Sequence, residues 1–426
     1  MATGTDTDTG TTEDVESFRL RARAWLADNM PRLPPGASGW TEMDVGPDVA
    51  ARARVLQGML NEGGFTGIAY PAAYGGRGLT REHQLAFNEE SRGYEMPMLF
   101  NTPTLTIIGP TILDFGTEEQ KQRHLRAMFS GEELWVQFMS EPTGGSDMAG
   151  AITRATRDGD VWILNGSKIW SSYAYFSDYG ICLARTDWDV PKHRGLTMFI
   201  VKINQPGVHV EKIRQTNGGE EFCQEFFDDV PLPADAVIGK VNDGWTVATR
   251  LLVHERSGAG GGSPYASGTG STHTGKDLDD LLALARKTGR DKDARSRQLI
   301  AEAHVNNTVH RQLVKRVATG IANKSLPEPA GSLVRLFGSV SRVHRTNVGY
   351  EVSGASAVTW PEDEGNLGGY GEAFVFRQAA CLGGGSTEMQ RNIISERVLA
   401  MPREYAADRD KPFGEVRRNQ MPTRPS

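Results

Sequence analysis

The strongest constraint on the fold is that the spacing of apolar residues changes twice along the chain. Over residues 13–133 apolar residues recur every three or four positions, which predicts helices. Over 134–242 they alternate along short segments separated by turn residues, as in β-strands, and over 243–404 the helical spacing returns. This order predicts a multidomain α+β protein in which two helical domains flank a small barrel or sandwich.

Three segments fall outside this pattern. Residues 1–12 are rich in Thr and lack the basic and apolar segments of a signal peptide, so we expect a disordered leader. Residues 405–426 are polar and rich in Pro and Arg, which predicts a tail that lies on a neighbouring chain or is disordered. Residues 258–275 are rich in Gly, which destabilises a helix by about 1 kcal/mol per residue relative to Ala. This Gly-rich insertion is interpreted either as a surface loop or as a loop that widens or covers a pocket.

Composition excludes several classes of function. The net charge of −6 disfavours a nucleic-acid-binding protein, and no apolar run is long enough to span a membrane. Three widely separated cysteines, Cys182, Cys223 and Cys381, predict reduced thiols in a cytoplasmic protein. The nine histidines show no close ligand spacing, so we expect no metal site.

The segment 135–187 carries the residues best suited to binding a ligand. It begins WVQFMSEPTGGSDMAG and contains an Asp-Gly pair at 158–159 that predicts a hairpin turn. Small residues in the first turn, including Gly145, let backbone N–H groups and the hydroxyls of Ser140 and Ser146 approach a flat or anionic ligand. An ordinary antiparallel sheet with a polar turn is the alternative interpretation of the same residues.

The second half of this segment reads NGSKIWSSYAYFSDYGICLARTD and presents Trp170, Ser171 and Ser172 in succession. An indole followed by two hydroxyls can stack on a planar ring and form hydrogen bonds with its heteroatoms. A tryptophan in the core of the sheet is the alternative interpretation.

Both halves resemble the two flavin-domain signatures of the acyl-CoA dehydrogenase family. The resemblance continues in GTEEQKQRHLRAMFSGEE (116–133), FFDDVPLPADAVIGKVNDGW (226–245) and GGGSTEMQRNIISERVLAMPRE (383–404), and covers roughly residues 50 to 404. It implies an N-terminal helical domain, a middle β-barrel domain and a C-terminal four-helix bundle. It also implies FAD as the cofactor, an acyl-CoA substrate and an electron-transfer flavoprotein as the electron acceptor.

The resemblance assigns cofactor-binding roles residue by residue. It places the Ser172 hydroxyl at flavin N5, the Trp170 indole on the isoalloxazine, and Ser146 near the flavin phosphates or the pantetheine of CoA. Gln137 stands where many members carry an aromatic residue. The complete set of implied cofactor-binding residues is Gln137, Met139, Ser140, Gly145, Ser146, Trp170, Ser171, Ser172, Ser386 and Glu388.

The catalytic base departs from the commonest family pattern, in which a Glu lies in a Tyr-Glu-Gly-Thr-Ser motif. Here LGGGSTEMQ places Gly384 at that position. A minority of members carry the base in a Glu-Arg pair on the first bundle helix, and Glu255-Arg256 matches that pair. The resemblance therefore implies Glu255 as the base, with Arg256, Gly384 and Ser146 as substrate-binding residues. A solvated ion pair on a helix face is the alternative interpretation of Glu255 and Arg256.

A second flavin-binding patch normally comes from a partner subunit. The matching regions here, ARKTGRDKD (285–293) and YEVSGASAV (350–358), lack the family's Phe and carry Glu351 in place of a Gln. We therefore expect a homo-oligomer or a mixed oligomer with a related chain. The expected reaction is α,β-dehydrogenation of a branched or bulky acyl-CoA. The alternatives are a non-catalytic partner subunit and a flavin oxidase or monooxygenase on the same fold.

Overall fold

The computed structural model describes residues 13–33, 46–259, 263–266, 276–359 and 368–416. The predicted leader, most of the Gly-rich insertion and the last ten residues of the predicted tail lie outside the described residues.

The N-terminal region is helical, as predicted. Asp14 caps the first helix by accepting hydrogen bonds from the backbone N–H groups of Glu16 and Ser17, both at 3.0 Å. Pro47 occupies the first turn of the second helix, where its missing N–H costs nothing. The helices are α1 (Val15–Asn29), α2 (Pro47–Glu62), α3 (Arg81–Glu90), α4 (Gly109–Phe115) and α5 (Arg126–Ser130). Further helical segments are Ala72–Tyr74, Met98–Phe100, Asn101–Ile108, Glu118–Gln120 and Lys121–Leu125.

The middle region forms one eight-stranded sheet. Its strands are β1 (Trp135–Phe138), β2 (Arg154–Asp158), β3 (Val161–Ser172), β4 (Tyr179–Arg185), β5 (Leu196–Lys202), β6 (Val208–Lys212), β7 (Phe222–Pro233) and β8 (Val237–Ile238). The order is β6-β7-β3-β2-β4-β5-β8, and β1 pairs in parallel with β4. The middle domain was predicted to be a barrel. Among the described residues it forms a sheet in which β6 and β8 are the two end strands.

The hairpin between β2 and β3 differs by one residue from the prediction. Asp158 pairs with Val161, so the two loop residues are Gly159 and Asp160. Gly159 has a φ of 56°, a conformation that glycine adopts without steric cost. The predicted turn pair at 158–159 is therefore wrong by one position.

The C-terminal region is helical again. Its helices are α6 (Gly244–Ala259), α7 (Lys276–Lys287), α8 (Ala294–Ala322), α9 (Gly331–Ser353), α10 (Ser356–Thr359), α11 (Gly368–Phe376) and α12 (Thr387–Ile393). A wider helical turn, Ile394–Val398, continues α12, and a short turn, Arg377–Cys381, precedes it. Within the described ranges, we find no helix long and apolar enough to cross a membrane.

The largest apolar cluster joins all three regions. It contains Ile108 from the N-terminal region, Ile181 and Met198 from the sheet, and Val247 and Leu251 from α6. Because the first two turns of α6 are packed into this cluster, the next turn of the helix is held against the sheet. That turn carries the predicted catalytic base.

The predicted C-terminal tail packs on its own chain in its described part. Phe413 is 1% exposed, and the Arg185 guanidinium lies 3.6 Å from the centre of its ring. Arg185 in turn donates hydrogen bonds to the carbonyl groups of Ala149 (2.6 Å) and Ala151 (3.1 Å). The expectation of a disordered tail or one that lies on a neighbouring chain is therefore wrong around Phe413, where apolar burial holds the segment on the middle domain.

Candidate active site

A buried ion pair fixes the loop that follows β1. Glu141 accepts hydrogen bonds from Lys168 Nζ at 2.9 Å and from the backbone N–H groups of Ile152 (2.7 Å) and Thr153 (2.9 Å). Burial alone would raise the pKa of Glu141, but the charge of Lys168 and these donors together hold it below its usual value. Lys168 also donates to the carbonyl of Met139 at 3.2 Å. The loop is thus fastened at both ends by groups that sequence reasoning missed.

This fastened loop presents three of the predicted cofactor-binding residues. Gly145 and Ser146 are exposed, and Ser140 is half-buried. A Cβ atom on Gly145 would lie 3.4 Å from Ser140 Oγ, so the glycine leaves that hydroxyl accessible. The structure brings these three residues together on one surface. Their contacts with a cofactor stay predictions.

Trp170 lies at a bulge in the central strand β3. Ile169 pairs with Gln224 and Ser171 pairs with Cys223, so Trp170 is the extra residue between two paired positions. It has a φ of 70°, and its side chain is 55% exposed. The bulge turns the indole outward, which leaves a large planar apolar surface uncovered beside the loop.

Two of the predicted cofactor-binding side chains point into the protein. Met139 is 7% exposed and belongs to the largest apolar cluster. Ser171 is 3% exposed, and its hydroxyl donates to Glu225 Oε2 at 2.9 Å. Any contact of these two residues with a cofactor must therefore use their backbones. Ser172, the next residue along, is half-buried.

Glu225 is a buried acid that the sequence analysis overlooked. It is 0% exposed, and its Oε1 atom has no hydrogen-bond partner. Burial raises the pKa of Glu225 to about 8, against the opposing hydrogen bond from Ser171. The sequence does contain a signal for this burial, because Glu225 lies between Cys223 and Phe227 in the alternating pattern that forms the buried face of β7.

The predicted base lies where the first bundle helix meets the sheet. The Glu255 carboxylate is half-buried on α6, and Gln137 Nε2 on β1 lies 3.5 Å from its Oε2 atom. A Cβ atom on Gly384 would lie 3.4 Å from the Oε1 atom of Glu255. The structure therefore brings together Glu255, Gln137 and Gly384 from three distant parts of the sequence.

The electrostatic surroundings of Glu255 favour the protonated form. Burial raises its pKa above the usual value, and the opposing effects of the Gln137 hydrogen bond and the charges of Arg256 and Arg335 are smaller. Arg256 is itself half-buried, and burial lowers its pKa. A desolvated carboxylate of this kind is a stronger base than one in water.

Ser386 and Glu388 are already engaged within α12. The Ser386 hydroxyl caps the helix by accepting a hydrogen bond from the backbone N–H of Met389 at 3.3 Å. Glu388 is exposed and lies 3.6 Å from Arg391. Their predicted contacts with a cofactor stay predictions.

Comparison with known proteins assigns the family. Residues 12–132, 137–230 and 242–399 match models for the N-terminal, middle and C-terminal domains of acyl-CoA dehydrogenases. The chain is 35% identical over 395 residues to acyl-CoA dehydrogenase IpdE1 of Mycobacterium tuberculosis (strain ATCC 25618 / H37Rv), covering 92% of this chain and 99% of the relative. The chain belongs to the acyl-CoA dehydrogenase family. The dehydrogenase is therefore an oxidoreductase of a flavoprotein family, as the sequence predicted.

Further relatives of the dehydrogenase are consistent with this assignment. Acyl-CoA dehydrogenase IpdE1 of Mycolicibacterium smegmatis (strain ATCC 700084 / mc(2)155) is 32% identical over 404 residues, which cover 92% of this chain and 99% of the relative. A solved structure described as "Tcur3481-Tcur3483 steroid ACAD" matches with a TM-score of 0.74 at 27% identity, covering 92% of this chain and 99% of that one. The ChsE4-ChsE5 complex from Mycobacterium tuberculosis matches with a TM-score of 0.67 at 25% identity, covering 93% and 100%. The predicted fold class, a β-sheet domain between two helical domains, is confirmed.

Proposed function

We propose that this dehydrogenase uses FAD to introduce an α,β double bond into a bulky or branched acyl-CoA, with Glu255 as the catalytic base. The observation that carries the proposal is the position of the Glu255 carboxylate. It lies against Gln137 and Gly384, and burial raises its pKa. A base beside a glycine has open space in front of it for the carbon from which a proton is removed.

The residues present fit a flavin. The uncovered indole of Trp170 offers a stacking surface, and the buried Oε1 atom of Gln137 lacks a hydrogen-bond partner. A planar heterocycle with N–H donors would cover the indole and satisfy a lone acceptor of this kind. Ser140, Ser146 and Ser172 would hold it through their hydroxyls. FAD, when bound, supplies the acceptor for the hydrogen that leaves the β carbon.

The chain's own chemistry concerns the α proton. Glu255 takes this proton, and a raised pKa makes its carboxylate a better match for a weak carbon acid. The backbone N–H of Gly384 would donate to the thioester oxygen as charge develops there. Arg256, on the same helix, binds the CoA end of the substrate.

The proposed preference for bulky acyl groups rests on space and on relatives. Gly384 contributes no side chain at the position facing Glu255. One similar structure is described as a steroid ACAD. Short straight-chain thioesters are expected to react more slowly than branched or polycyclic ones.

An anaerobic titration of the purified flavoprotein tests the proposal. Straight, branched and steroid-like acyl-CoAs are added in turn, and bleaching of the flavin absorbance is recorded. We expect bleaching by one bulky class in the wild-type chain and in Glu302→Gln, which changes an exposed residue on α8, and none in Glu255→Gln. Fast reoxidation of the bleached protein by oxygen would instead indicate an oxidase, and faster bleaching by short straight chains would overturn the substrate class.

Partners form the second part of the proposal. One similar structure is described as the ChsE4-ChsE5 complex, and the description of another joins two names, Tcur3481-Tcur3483. We propose a mixed or homo-oligomer in the cytoplasm that passes electrons to an electron-transfer flavoprotein. The free thiols of Cys182, Cys223 and Cys381 fit a reducing compartment. If the chain is instead a non-catalytic subunit, a reconstituted mixed complex carrying Glu255→Gln will keep full activity.

A further inference from the structure

Arg335, on α9, is one of the charged groups that act on the proposed base. Its Nη atoms both lie 3.1 Å from the carbonyl oxygen of Ala380, and they also donate to Ser339 Oγ and to the carbonyl of Gly383. Its Nε–H is buried and has no hydrogen-bond partner. The side chain is therefore held rigidly at one end, while one donor remains unused.

The unpaired Nε–H group of Arg335 lies beside Gly384. A Cβ atom on Gly384 would lie 3.1 Å from Arg335 Nε and 3.4 Å from Glu255 Oε1. One carbon atom would therefore touch the guanidinium and the carboxylate at once. Gly384 also has a φ of 71°, which other residues adopt only with strain. The absence of a side chain leaves an open line between the Arg335 donor and Glu255.

We propose that Arg335 is a positioning residue for Glu255, and that Gly384 lacks a side chain so that the Arg335 Nε–H can face the carboxylate. The inference rests on the proposed function only in naming Glu255 as the base. The Nη atoms of Arg335 donate to the carbonyl groups of Ala380 and Gly383, which leaves the Nε–H for Glu255.

The charge of Arg335 opposes one of the two effects that burial has on Glu255. Burial makes Glu255 a strong base but also drives it towards the protonated form, which cannot accept a proton. The groups that face Glu255 are Gln137 on β1, Arg256 on α6 and Arg335 on α9. Both arginines act in the direction that keeps the carboxylate ionised. The position of Arg335 is set by its hydrogen bonds to the carbonyl groups of Ala380 and Gly383.

The direction of the expected effect follows from the charge. Removing a cation beside a carboxylate raises the pKa of that carboxylate, by about one unit or more when the two groups are close. Arg335→Gln should therefore shift the protonation midpoint of Glu255 to higher pH. Arg335→Lys retains the charge and should restore most of the shift. Arg342→Gln removes an equal charge from an exposed position on the same helix and should change little.

The test is an infrared pH titration of the full-length chain as purified. Subtracting the spectra of Glu255→Gln isolates the carboxylic C=O band of Glu255, and the pH at which half of the band is lost gives the midpoint. We expect an upward shift of about one pH unit or more in Arg335→Gln. Gly384→Ala should move the midpoint in the same direction with Arg335 intact, because its Cβ atom separates the two groups. Thermal unfolding of every variant is recorded in parallel.

An unchanged midpoint in Arg335→Gln, or an equal shift in Arg342→Gln, overturns the inference. If Gly384→Ala does not fold, the three arginine variants still decide the question. The outcome is independent of the proposed function, since the band is measured without substrate. A midpoint that moves in a protein that no acyl-CoA bleaches would support the role of Arg335 and reject the dehydrogenation.

Discussion

Glu141 is a buried carboxylate and Glu255 is a half-buried one, and they differ in the number of hydrogen-bond donors that contact them. Glu141 receives a buried lysine and two backbone N–H groups, all within 2.9 Å. Glu255 receives one amide N–H at 3.5 Å. The pKa of Glu141 is consequently lowered, whereas burial raises that of Glu255.

The difference shows how one site can contain a rigid part and a reactive part. A carboxylate whose lone pairs are all satisfied is stable as an anion and holds its loop in place. A carboxylate left with few donors keeps the capacity to accept a proton. The comparison predicts that changes at Glu141 affect folding and changes at Glu255 affect chemistry.

The largest expected effect is the loss of the base. Glu255→Gln should lower the rate of flavin reduction by acyl-CoA by about 10²- to 10⁴-fold, the usual contribution of a general base. Its thermal midpoint should remain close to that of the wild-type chain, because the amide keeps the shape of the side chain. Stopped-flow absorbance and thermal unfolding measure the two quantities. Glu302→Gln, at an exposed position on α8, serves as the control, and a large loss of stability in Glu255→Gln would contradict the division of roles.

The next effect concerns the rigid part. Lys168→Met leaves Glu141 buried without its cation and should lower the free energy of unfolding by about 3–5 kcal/mol. The double variant Glu141→Gln/Lys168→Met removes both charges and should recover part of that loss. Denaturant unfolding of Lys168→Met, Glu141→Gln and the double variant gives the coupling free energy between the two side chains. A Lys168→Met chain as stable as the wild type would show that the pair does not fasten the loop.

A third effect concerns another buried acid, Glu225. Its folded-state pKa of about 8 lies above its usual value of 4.5, so the folded chain holds a proton that the unfolded chain releases. The resulting stability is complete below pH 4.5 and is lost as the pH rises towards 8, by about 1.4 kcal/mol per pH unit.

Glu225→Gln should remove this contribution to the pH dependence, since an amide does not titrate. Thermal midpoints recorded at several pH values between 5 and 8.5 test this, with Glu388→Gln as the matched exposed control. Parallel pH curves for the wild type and Glu225→Gln would show that Glu225 is ionised in the folded chain.

The smallest expected effect separates two roles of Ser386. If Ser386 acts as a helix cap, Ser386→Ala should lower the free energy of unfolding by about 1 kcal/mol. Ser386→Gly should lower it by only a few tenths, because glycine is tolerated at that position. If the Ser386 hydroxyl binds the cofactor, both variants should lose flavin affinity to the same extent. Thermal unfolding combined with a fluorescence titration of flavin measures both quantities.

The sequence predicted elements well where local chemistry determines their ends. The helix Pro47–Glu62 begins at a proline and ends before two glycines, and both signals act within one turn. The resemblance also predicted Glu255 and Gly384 as parts of one site, and the structure places them side by side. Their roles in the reaction stay predictions.

The direction of side chains along β3 was harder to predict. Trp170, Ser171 and Ser172 were all assigned to the cofactor, yet successive residues of a strand point to opposite faces. The bulge at Trp170 sends the indole outward and the Ser171 hydroxyl inward to Glu225. A bulge depends on the pairing with β7, which sequence spacing alone does not reveal.

Arg335 was missed for a similar reason. It belongs to no motif, and its contacts with Ala380 and Gly383 arise from packing α9 against the turn that precedes α12. Nothing local distinguishes it from the exposed Arg342 on the same helix. Only the folded bundle shows that Arg335 lies beside Gly384.

The contact between Phe413 and Arg185 has a consequence for the order of folding. Arg185 holds the carbonyl groups of Ala149 and Ala151, just after the loop that presents Ser146, and Phe413 covers its guanidinium. The two residues are far apart in sequence, so the entropy of closing a long loop must be overcome before their contact stabilises the chain. A refolding chain is therefore expected to complete this corner after the local elements of the middle domain have formed.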